Sequence, residues 1–379
     1  MNSFRFFTPT NTYVKEGMLD QNAPFSLDYE HALIVTSKNI SNGRFGALDS
    51  LKTMIENEGV KVSVFDEVAR PVHARSVLKA AKYAKENAVD LIVGHGSAKA
   101  VDAAKVVGRM VRENPEFLDA WLSSKYRPPF ENDPVDVISV PSTLTITASL
   151  NHKIYLYNPK GNRYERLKDS SFTPKAAFID PALLRTLDEE TLYGSLSDTT
   201  IKLFDLLSQN ISPLHTDLAE TALKRLIKSA ETLEKDIHDP EALSSLAYAN
   251  VLLSSMFVKK PYFPLHMLND AILGYHPELF YSRFLKKASL HYIDYRLPQI
   301  SDERIKIMKN AFHGSAYDKE TLKESFVALF APFIRQSELI TLNEKHYPED
   351  YLIHLKTLYP QFSALKDSVV YAIIDQTIR

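Results

Sequence analysis

The chain has no cysteine among its 379 residues. This excludes disulfide bonds, a thiolate nucleophile and sulfur ligands, so a metal ion would have to be held by His, Asp or Glu. Glycine is scarce as well, with 11 residues, which is less than half the share of about 7% that is usual in globular proteins. Loops that normally use glycine for a close approach or a left-handed backbone must therefore use other residues.

A strong charge of one sign is also missing, because 45 Lys and Arg residues are balanced by 47 Asp and Glu residues and the net charge is −2. This balance creates no field that would attract nucleic acid or an anionic membrane. No apolar run reaches transmembrane length, and the first residues lack a basic segment before an apolar one. We therefore expect a cytoplasmic protein with no nucleic-acid or membrane partner.

The first half of the sequence alternates short apolar runs with helical patterns. The runs with β character lie at His31–Thr36, Lys61–Phe65, Leu91–Val93, Asp136–Val140 and Ala176–Ile179. The helical patterns lie between the first four runs, at about 45–58, 72–87 and 98–113. This alternation predicts a Rossmann-like α/β domain over 1–182, with a parallel sheet that binds ligands beyond the C-terminal ends of its strands.

The second half has a different texture, because apolar residues recur at helical spacing almost to the end of the chain. A chain of 379 residues is also too long for one ordinary core. We therefore expect an all-helical second domain over 183–379. Its predicted helices cover 189–209, 216–236, 240–258, 264–273, 278–291, 301–311, 318–335 and 361–376.

The pattern of residues from Asp90 to Lys105 predicts a strand, a tight turn at Gly94–Ser97 and the start of a helix. The first turn of a helix offers unpaired N–H groups and the positive end of the dipole, which together favour a phosphate. We expect Ser97 to be the N-cap and Lys99 to add charge that suits a diphosphate. The alternative is an ordinary connection between a strand and a helix.

The order of these features resembles the iron-containing alcohol dehydrogenase superfamily, including its maleylacetate reductase and glycerol dehydrogenase branches and the related dehydroquinate synthase-like fold. The shared features are the phosphate turn, Pro-Ser-Thr at 141–143, Asp-Pro at 180–181 and the helical half that follows. The resemblance implies a dinucleotide-binding domain followed by a domain for metal and substrate. The residues that it places against the cofactor are Gly94, Gly96, Ser97, Ala98, Lys99, Asp102, Ser142 and Thr143.

The resemblance also bears on the choice between NAD and NADP. The family often has Thr-Asp after the first strand, and that carboxylate would repel a 2′-phosphate. This chain has Thr36, Ser37 and Lys38 there, so the resemblance implies that Ser37 contacts the cofactor and that NADP is admitted as well as NAD. Asp66, after the second strand, is a competing candidate for contact with the ribose.

In the resembling family a divalent ion, iron or zinc, is held by an Asp, by a His four residues later, and by two later His residues. Asp198, His266 and His276 match three of these positions, but Lys202 stands where the second ligand is expected. Lysine is a cation without a lone pair at neutral pH, so it repels a dication. Asp270 replaces a further His that lies near the substrate in the family.

We therefore favour the hypothesis that the Lys202 ammonium takes over the electrostatic role of the metal, with Lys202, Asp270 and His266 as the catalytic residues. Two alternatives stay open: a metal held by the three matching residues alone, or a plain ion pair on one helix face. The expected activity is an NAD(P)-dependent dehydrogenase or reductase for a small carbonyl or oxo-acid, and a homodimer is common in such families. The rivals are a catalytically silent relative that binds a ligand or partner, and a lyase of the dehydroquinate synthase kind.

Overall fold

The computed structural model describes residues 6–43, 46–68, 71–123, 129–256, 263–312, 318–334, 340, 348–360, 362 and 365–378. Contacts between residues divide the chain into two units, Phe6–Leu187 and Asp188–Arg379. The strands all belong to the first unit, in the part of the chain that is described. They are β1 (Asn11–Val14), β2 (His31–Val35), β3 (Lys61–Phe65), β4 (Leu91–Gly96), β5 (Asp136–Pro141), β6 (Lys153–Asn158), β7 (Arg163–Lys168) and β8 (Ala176–Ile179).

The α-helices are distributed over both units. In the first unit they are α1 (Lys38–Ser41), α2 (Leu48–Asn57), α3 (Ala74–Glu86), α4 (Ala98–Met110) and α5 (Glu116–Ser123). In the second unit they are α6 (Glu189–Ser208), α7 (Pro213–Leu233), α8 (Pro240–Ser255), α9 (Pro264–Tyr275), α10 (Tyr281–Arg296), α11 (Asp302–Ala311), α12 (Lys319–Ile334), α13 (Pro348–Leu358) and α14 (Asp367–Thr377). Among the described residues, none of these helices combines the length and the apolar character needed to span a membrane.

The first unit is built on a six-stranded sheet in the order β1-β8-β5-β4-β2-β3, and all of its pairs are parallel. Successive side chains of a strand point to opposite faces. On β2, Ala32 and Ile34 belong to one core, whereas Leu33 and Val35 belong to the other. Helices cover both faces, which is why the central strands read as continuous apolar runs. The predicted parallel α/β sheet followed by a helical C-terminal half is confirmed.

The sheet differs from the prediction where β4 ends. The apolar run was expected to stop at Val93 and to turn over Gly94–Ser97, but β4 continues to Gly96. It stays paired with β5 along its whole length, with Gly96 opposite Pro141. The two glycines are therefore part of the strand, and the chain turns only at Ser97.

The prediction also missed an antiparallel hairpin of β6 and β7, which pair from Lys153 with Lys168 to Asn158 with Arg163. Its alternating sequence and its turn, in which Asn158 caps a short 3₁₀ segment that begins with Pro159, are typical of a hairpin. In the second unit α13 was not predicted, and α14 begins at Asp367 instead of 361. Residues 361, 363 and 364 of that predicted helix lie outside the described part.

The helices that carry the candidate site have local start signals. The Asp188 side chain caps α6 by accepting a hydrogen bond from the Thr191 N–H at 2.8 Å. Pro264 is at the first position of α9, where its missing N–H costs nothing. These signals are encoded within a few residues of each helix end, so the predicted starts at 189 and 264 agree with the structure.

Candidate functional site

The turn between β4 and α4 depends on one left-handed residue. Gly96 has a φ of +132°, and a Cβ built on it would lie 2.8 Å from Cδ1 of Ile40. Ser97 follows in an extended conformation with a φ of −71° and occupies the N-cap position, but its side chain makes no cap hydrogen bond. Among the described residues, neither Ser97 nor Ala98 has a positive φ. Their side chains therefore cost no backbone strain where the resembling family has glycine.

At position 94 a glycine is required because neighbouring atoms leave no room for a side chain, and not because the backbone has a positive φ. A Cβ at Gly94 would lie 2.7 Å from the Cβ of Ala104 and 3.1 Å from the Cα of Val101. A contact of 2.7 Å between two carbons does not occur in folded proteins without a shift of one of them. Gly94 thus lets α4 lie close against β4, which fixes the first turn of α4 at the end of the sheet.

Two buried hydroxyl groups next to this turn have no partner. The Ser142 N–H donates to the carbonyl of Gly96 at 2.9 Å, so residue 142 lies beside the turn. Ser142 is fully buried and Thr143 is 8% exposed, yet neither Ser142 Oγ nor Thr143 Oγ1 has a hydrogen-bond partner among the described residues. A buried hydroxyl without a partner is costly. Together with the helix start, these donors fit the phosphates of a dinucleotide.

Lys99 lies in the first turn of α4, and a residue of the unpredicted hairpin reaches it. The Lys99 ammonium donates to the Tyr164 hydroxyl at 3.2 Å and lies 5.1 Å from the centre of that ring. The tyrosine was missed because the hairpin was missed, although the alternation of β7 was a usable signal. Tyr164 is therefore an additional candidate for contact with an anion at this turn.

Asp102 is placed differently from what the resemblance implies. Its side chain accepts hydrogen bonds from the Tyr155 N–H at 3.1 Å and from the Lys105 ammonium at 3.4 Å. Burial raises the pKa of Asp102 to about 6, although Lys105 and the Tyr155 N–H lower it. Lys105 also donates to the carbonyl of Lys153 at 2.8 Å. Asp102 and Lys105 of α4 therefore connect this helix to β6 of the hairpin.

The two candidates for the adenosine ribose lie near each other after β2 and β3. Ser37 occupies the N-cap position of α1 without a side-chain cap bond, and its backbone pairs with that of Glu67. The carboxylate of Asp66 accepts a hydrogen bond from the Ser41 hydroxyl at 2.7 Å. Asp66 is thus engaged within the protein, which favours Ser37 as the residue that a ribose would meet.

His95 is a buried residue for which the sequence offered no role. Its ring nitrogens lie 2.9 Å from the carbonyl oxygen of Val140 and 2.5 Å from that of Gly46. Burial lowers the pKa of His95, although the contacts with the two carbonyls raise it. The ring therefore joins the loop before α2 to the ends of β4 and β5.

In the helical unit, Asp198 lies at the centre of a buried cluster. One of its oxygens accepts a hydrogen bond from the Lys202 ammonium at 2.5 Å, and the other lies 2.8 Å from Nε2 of His266. Asp198, Lys202 and His266 are 3%, 8% and 3% exposed. Burial alone would raise the pKa of Asp198, but Lys202 and His266 lower it to about 2. The carboxylate is therefore ionised and bound on both sides.

His266 has one ring nitrogen without a partner. Burial lowers its pKa, although Asp198 raises it, so the ring is neutral and its Nε2–H donates to the Asp198 carboxylate. The other nitrogen, Nδ1, is buried and has no hydrogen-bond partner in the part of the chain that the structure describes. It carries a lone pair that can accept a hydrogen bond from a ligand.

Asp270 and His276 are engaged with residues that the sequence did not single out. The Tyr359 hydroxyl donates to Asp270 at 2.8 Å, and Nε2 of His276 lies 2.8 Å from the Tyr351 hydroxyl. These tyrosines follow 89 and 75 residues later in the chain, and no local pattern marks them. The structure thus brings Asp198, Lys202 and His266 together, whereas His276 contacts Tyr351.

These donors do not fit a divalent metal ion. Within the described ranges, no group of three or more His, Cys, Asp or Glu side chains could hold one. Both oxygens of Asp198 are occupied, one of them by a cation. The set of Asp198, His266 and His276 that the resemblance implied as ligands is therefore not assembled in this structure.

The sequence of this chain is similar to those of known oxidoreductases. Residues 9–181 match the model of the family "iron-containing alcohol dehydrogenase". Alcohol dehydrogenase 4 of Saccharomyces cerevisiae is 22% identical over 71% of this chain and 67% of its own length. The NADPH-dependent butanol dehydrogenase of Clostridium saccharobutylicum is 24% identical over 66% of this chain and 65% of its own length.

A solved structure is similar in fold over the whole chain. The crystal structure of NADH-dependent butanol dehydrogenase A from Thermotoga maritima is similar with a TM-score of 0.81 at 17% identity. The match covers 100% of this chain and 99% of that one. By their names, these relatives include one protein that uses NADPH and one that uses NADH.

Proposed function

Because the chain belongs to the iron-containing alcohol dehydrogenase family, we propose that it is an NAD(P)-dependent alcohol dehydrogenase or reductase that acts on a small carbonyl or oxo-acid. Its relatives are oxidoreductases by name, and hydride transfer requires a cofactor in the right geometry and a positive group near the reacting oxygen. The proposal includes no step through a metal ion. The cytoplasmic location and the homodimer stay predictions.

The observation that carries the proposal is the pair of buried hydroxyls without partners at Ser142 and Thr143, beside Gly96. Unsatisfied buried hydroxyls are rare and need an explanation, and a cofactor phosphate would satisfy both. We assign the phosphate contacts to Ser142, Thr143 and the N–H groups of Ser97, Ala98 and Lys99. The first turn of α4 adds the positive end of its dipole.

We assign the reacting oxygen of the substrate to the cluster in the helical unit. The nicotinamide supplies the hydride acceptor or donor when it is bound. In the oxidation of an alcohol, Nδ1 of His266 accepts the hydroxyl proton, and Asp198 orients the ring through its bond to Nε2. The Lys202 charge stabilises the negative charge on the substrate oxygen and suits an oxo-acid. Asp270 accepts a hydrogen bond from the Tyr359 hydroxyl, and we count it as a further polar residue of this cluster.

The proposal is tested by titration of the purified protein with NADH and NADPH, followed by fluorescence. We expect at least one of the two to bind, and the double variant Ser142→Ala/Thr143→Ala to bind it about thirtyfold more weakly, since two hydrogen bonds contribute about 1 kcal/mol each. Ser76→Ala is the matched control, because that hydroxyl bonds the His73 carbonyl at the start of α3. Binding in the control should equal that of the wild type.

A screen of small aldehydes and oxo-acids with the cofactor that binds would then identify the substrate class. The absence of binding of both NADH and NADPH at millimolar concentrations would contradict the proposed activity. It would favour a catalytically silent relative that keeps the scaffold to bind another ligand or a partner. The observation that favours this rival is the ion pair of Lys202 and Asp198 at the family's metal position.

A further inference from the structure

Asp198 and Lys202 lie one turn apart on the same face of α6. Residues at i and i+4 of a helix are neighbours on its surface, and here the ammonium is 2.5 Å from the carboxylate. The side chains of Lys202 and Asp198 are 10% and 4% exposed. A carboxylate this deeply buried is retained only when a positive charge or several donors compensate it. Lys202 supplies that charge from within the chain.

The remaining donors of the cluster are those that a transition metal prefers. Nε2 of His266 faces the second oxygen of Asp198 at 2.8 Å, and it can bind a metal ion once its proton moves to Nδ1, which has no partner among the described residues. Asp198 and His266 thus provide one oxygen ligand and one nitrogen ligand from two helices. A catalytic zinc site has three protein ligands and an open position for water. One ligand is missing here, and a cation occupies its position.

We propose that the cluster is a latent divalent-metal site that Lys202 keeps closed, so that the wild-type protein binds no metal there and a single substitution at 202 opens it. The ammonium neutralises Asp198 and repels a dication from the carboxylate. Replacement of Lys202 by histidine removes the charge and places an imidazole four residues after Asp198 on the same face of α6, which His266 of α9 contacts. This inference does not depend on the proposed redox activity.

The experiment compares the metal content of the wild type with those of Lys202→His and Lys202→Arg. Each protein is incubated with zinc, freed of unbound metal by gel filtration and analysed for zinc, and its thermal unfolding is measured with and without zinc. We expect the wild type and Lys202→Arg to retain almost none. Lys202→His should retain about one zinc per chain, as a site of three protein ligands does, and should unfold at a higher temperature with zinc.

The ligands are identified by a second substitution. His266→Ala in the Lys202→His background should abolish the bound zinc, whereas His276→Ala should leave it unchanged, because His276 is bonded to Tyr351. Loss of zinc in both double variants would overturn the assignment of the site. These readouts are independent of activity, so the inference and the proposed function can fail separately.

Two results would overturn the proposal as a whole. The first is stoichiometric zinc in the wild type that is lost on His266→Ala. The second is a folded Lys202→His protein that retains no more zinc than the wild type. If the histidine variant does not fold, the smaller Lys202→Cys introduces the only thiol of the chain. Zinc should then slow the reaction of that thiol with a labelling reagent, and an unchanged rate would refute the latent site.

Discussion

Asp205 is a buried carboxyl group on α6 that the proposed chemistry does not use. It is 1% exposed, and one of its oxygens accepts a hydrogen bond from the Tyr292 hydroxyl at 2.5 Å. The other oxygen has no hydrogen-bond partner within the described ranges. Burial raises the pKa of Asp205 to about 8, although Tyr292 and Arg296 lower it. The group therefore binds its proton at neutral pH in the folded protein.

This proton links the stability of the protein to pH. An unfolded Asp has a pKa of about 3.9, so between that value and the folded pKa of about 8 the native state binds more protons than the unfolded state. The contribution of Asp205 to stability is thus fully present below about pH 4 and is lost as the pH rises through about 8. Asparagine at 205 resembles the protonated form of Asp205 at every pH. The stability of Asp205→Asn should therefore not fall for this reason as the pH rises.

The free energy of unfolding, measured in urea at pH 6 and pH 9, checks the prediction. The wild type should lose more stability over this interval than Asp205→Asn. Asp375→Asn on the exposed side of α14 is the control, and its loss should equal that of the wild type. Equal losses in the wild type and Asp205→Asn would mean that Asp205 is ionised over the whole interval.

At the scale of elements, the link between α4 and the hairpin of β6 and β7 depends on one buried ion pair. The side chains of Lys105 and Asp102 are 0% and 6% exposed, and their charged atoms are 3.4 Å apart. Each also bonds the backbone of β6, at Lys153 and Tyr155. A buried pair is costly to form, but removal of one partner leaves the other charge without compensation.

We therefore expect Lys105→Met to destabilise the protein by about 3–5 kcal/mol, and the double variant Asp102→Asn/Lys105→Met to be more stable than Lys105→Met. Unfolding in urea of both single variants and the double variant measures the coupling between the two residues. Lys79→Met removes an ion pair with Glu67 in which the side chains are 61% and 46% exposed. This control should cost less than about 1 kcal/mol, and additive effects of the two buried substitutions would contradict the prediction.

At the scale of the whole molecule, the choice of cofactor is open, because the similar proteins are by name NADPH-dependent in one case and NADH-dependent in another. We propose that Ser37 admits the 2′-phosphate of NADP. Ser37→Asp should weaken the binding of NADPH relative to NADH by about tenfold or more, since a carboxylate repels the phosphate and 1.4 kcal/mol corresponds to a factor of ten.

The ratio of the two dissociation constants, from fluorescence titrations, tests this assignment. Ser37→Ala is the control, because it removes the hydroxyl without adding charge, and it should leave the ratio near that of the wild type. An equal loss of affinity for both cofactors in Ser37→Asp would show that residue 37 affects the site in general and does not contact the 2′-position.

The sequence by itself determined the fold class, because the signals for it are local. The continuous apolar run of β2 marks a strand covered on both faces, and the Asp188 cap marks the start of α6. The face shared by Asp198 and Lys202 was also predictable, since helical periodicity alone places residues four apart together. The hairpin and α13 were not predicted, because short alternating or weakly periodic segments acquire their structure from the residues that they pack against.

Only the tertiary structure decided which of the candidate site residues act together. The contact of His266 with Asp198 spans 68 residues, and the bond of His276 to Tyr351 spans 75, so neither follows from spacing along one helix. The burial that leaves Ser142, Thr143 and Nδ1 of His266 without partners is likewise a property of the packed chain. The physical reason is that periodicity and caps act over one or two turns, whereas hydrogen-bond partners and desolvation depend on segments that folding brings together.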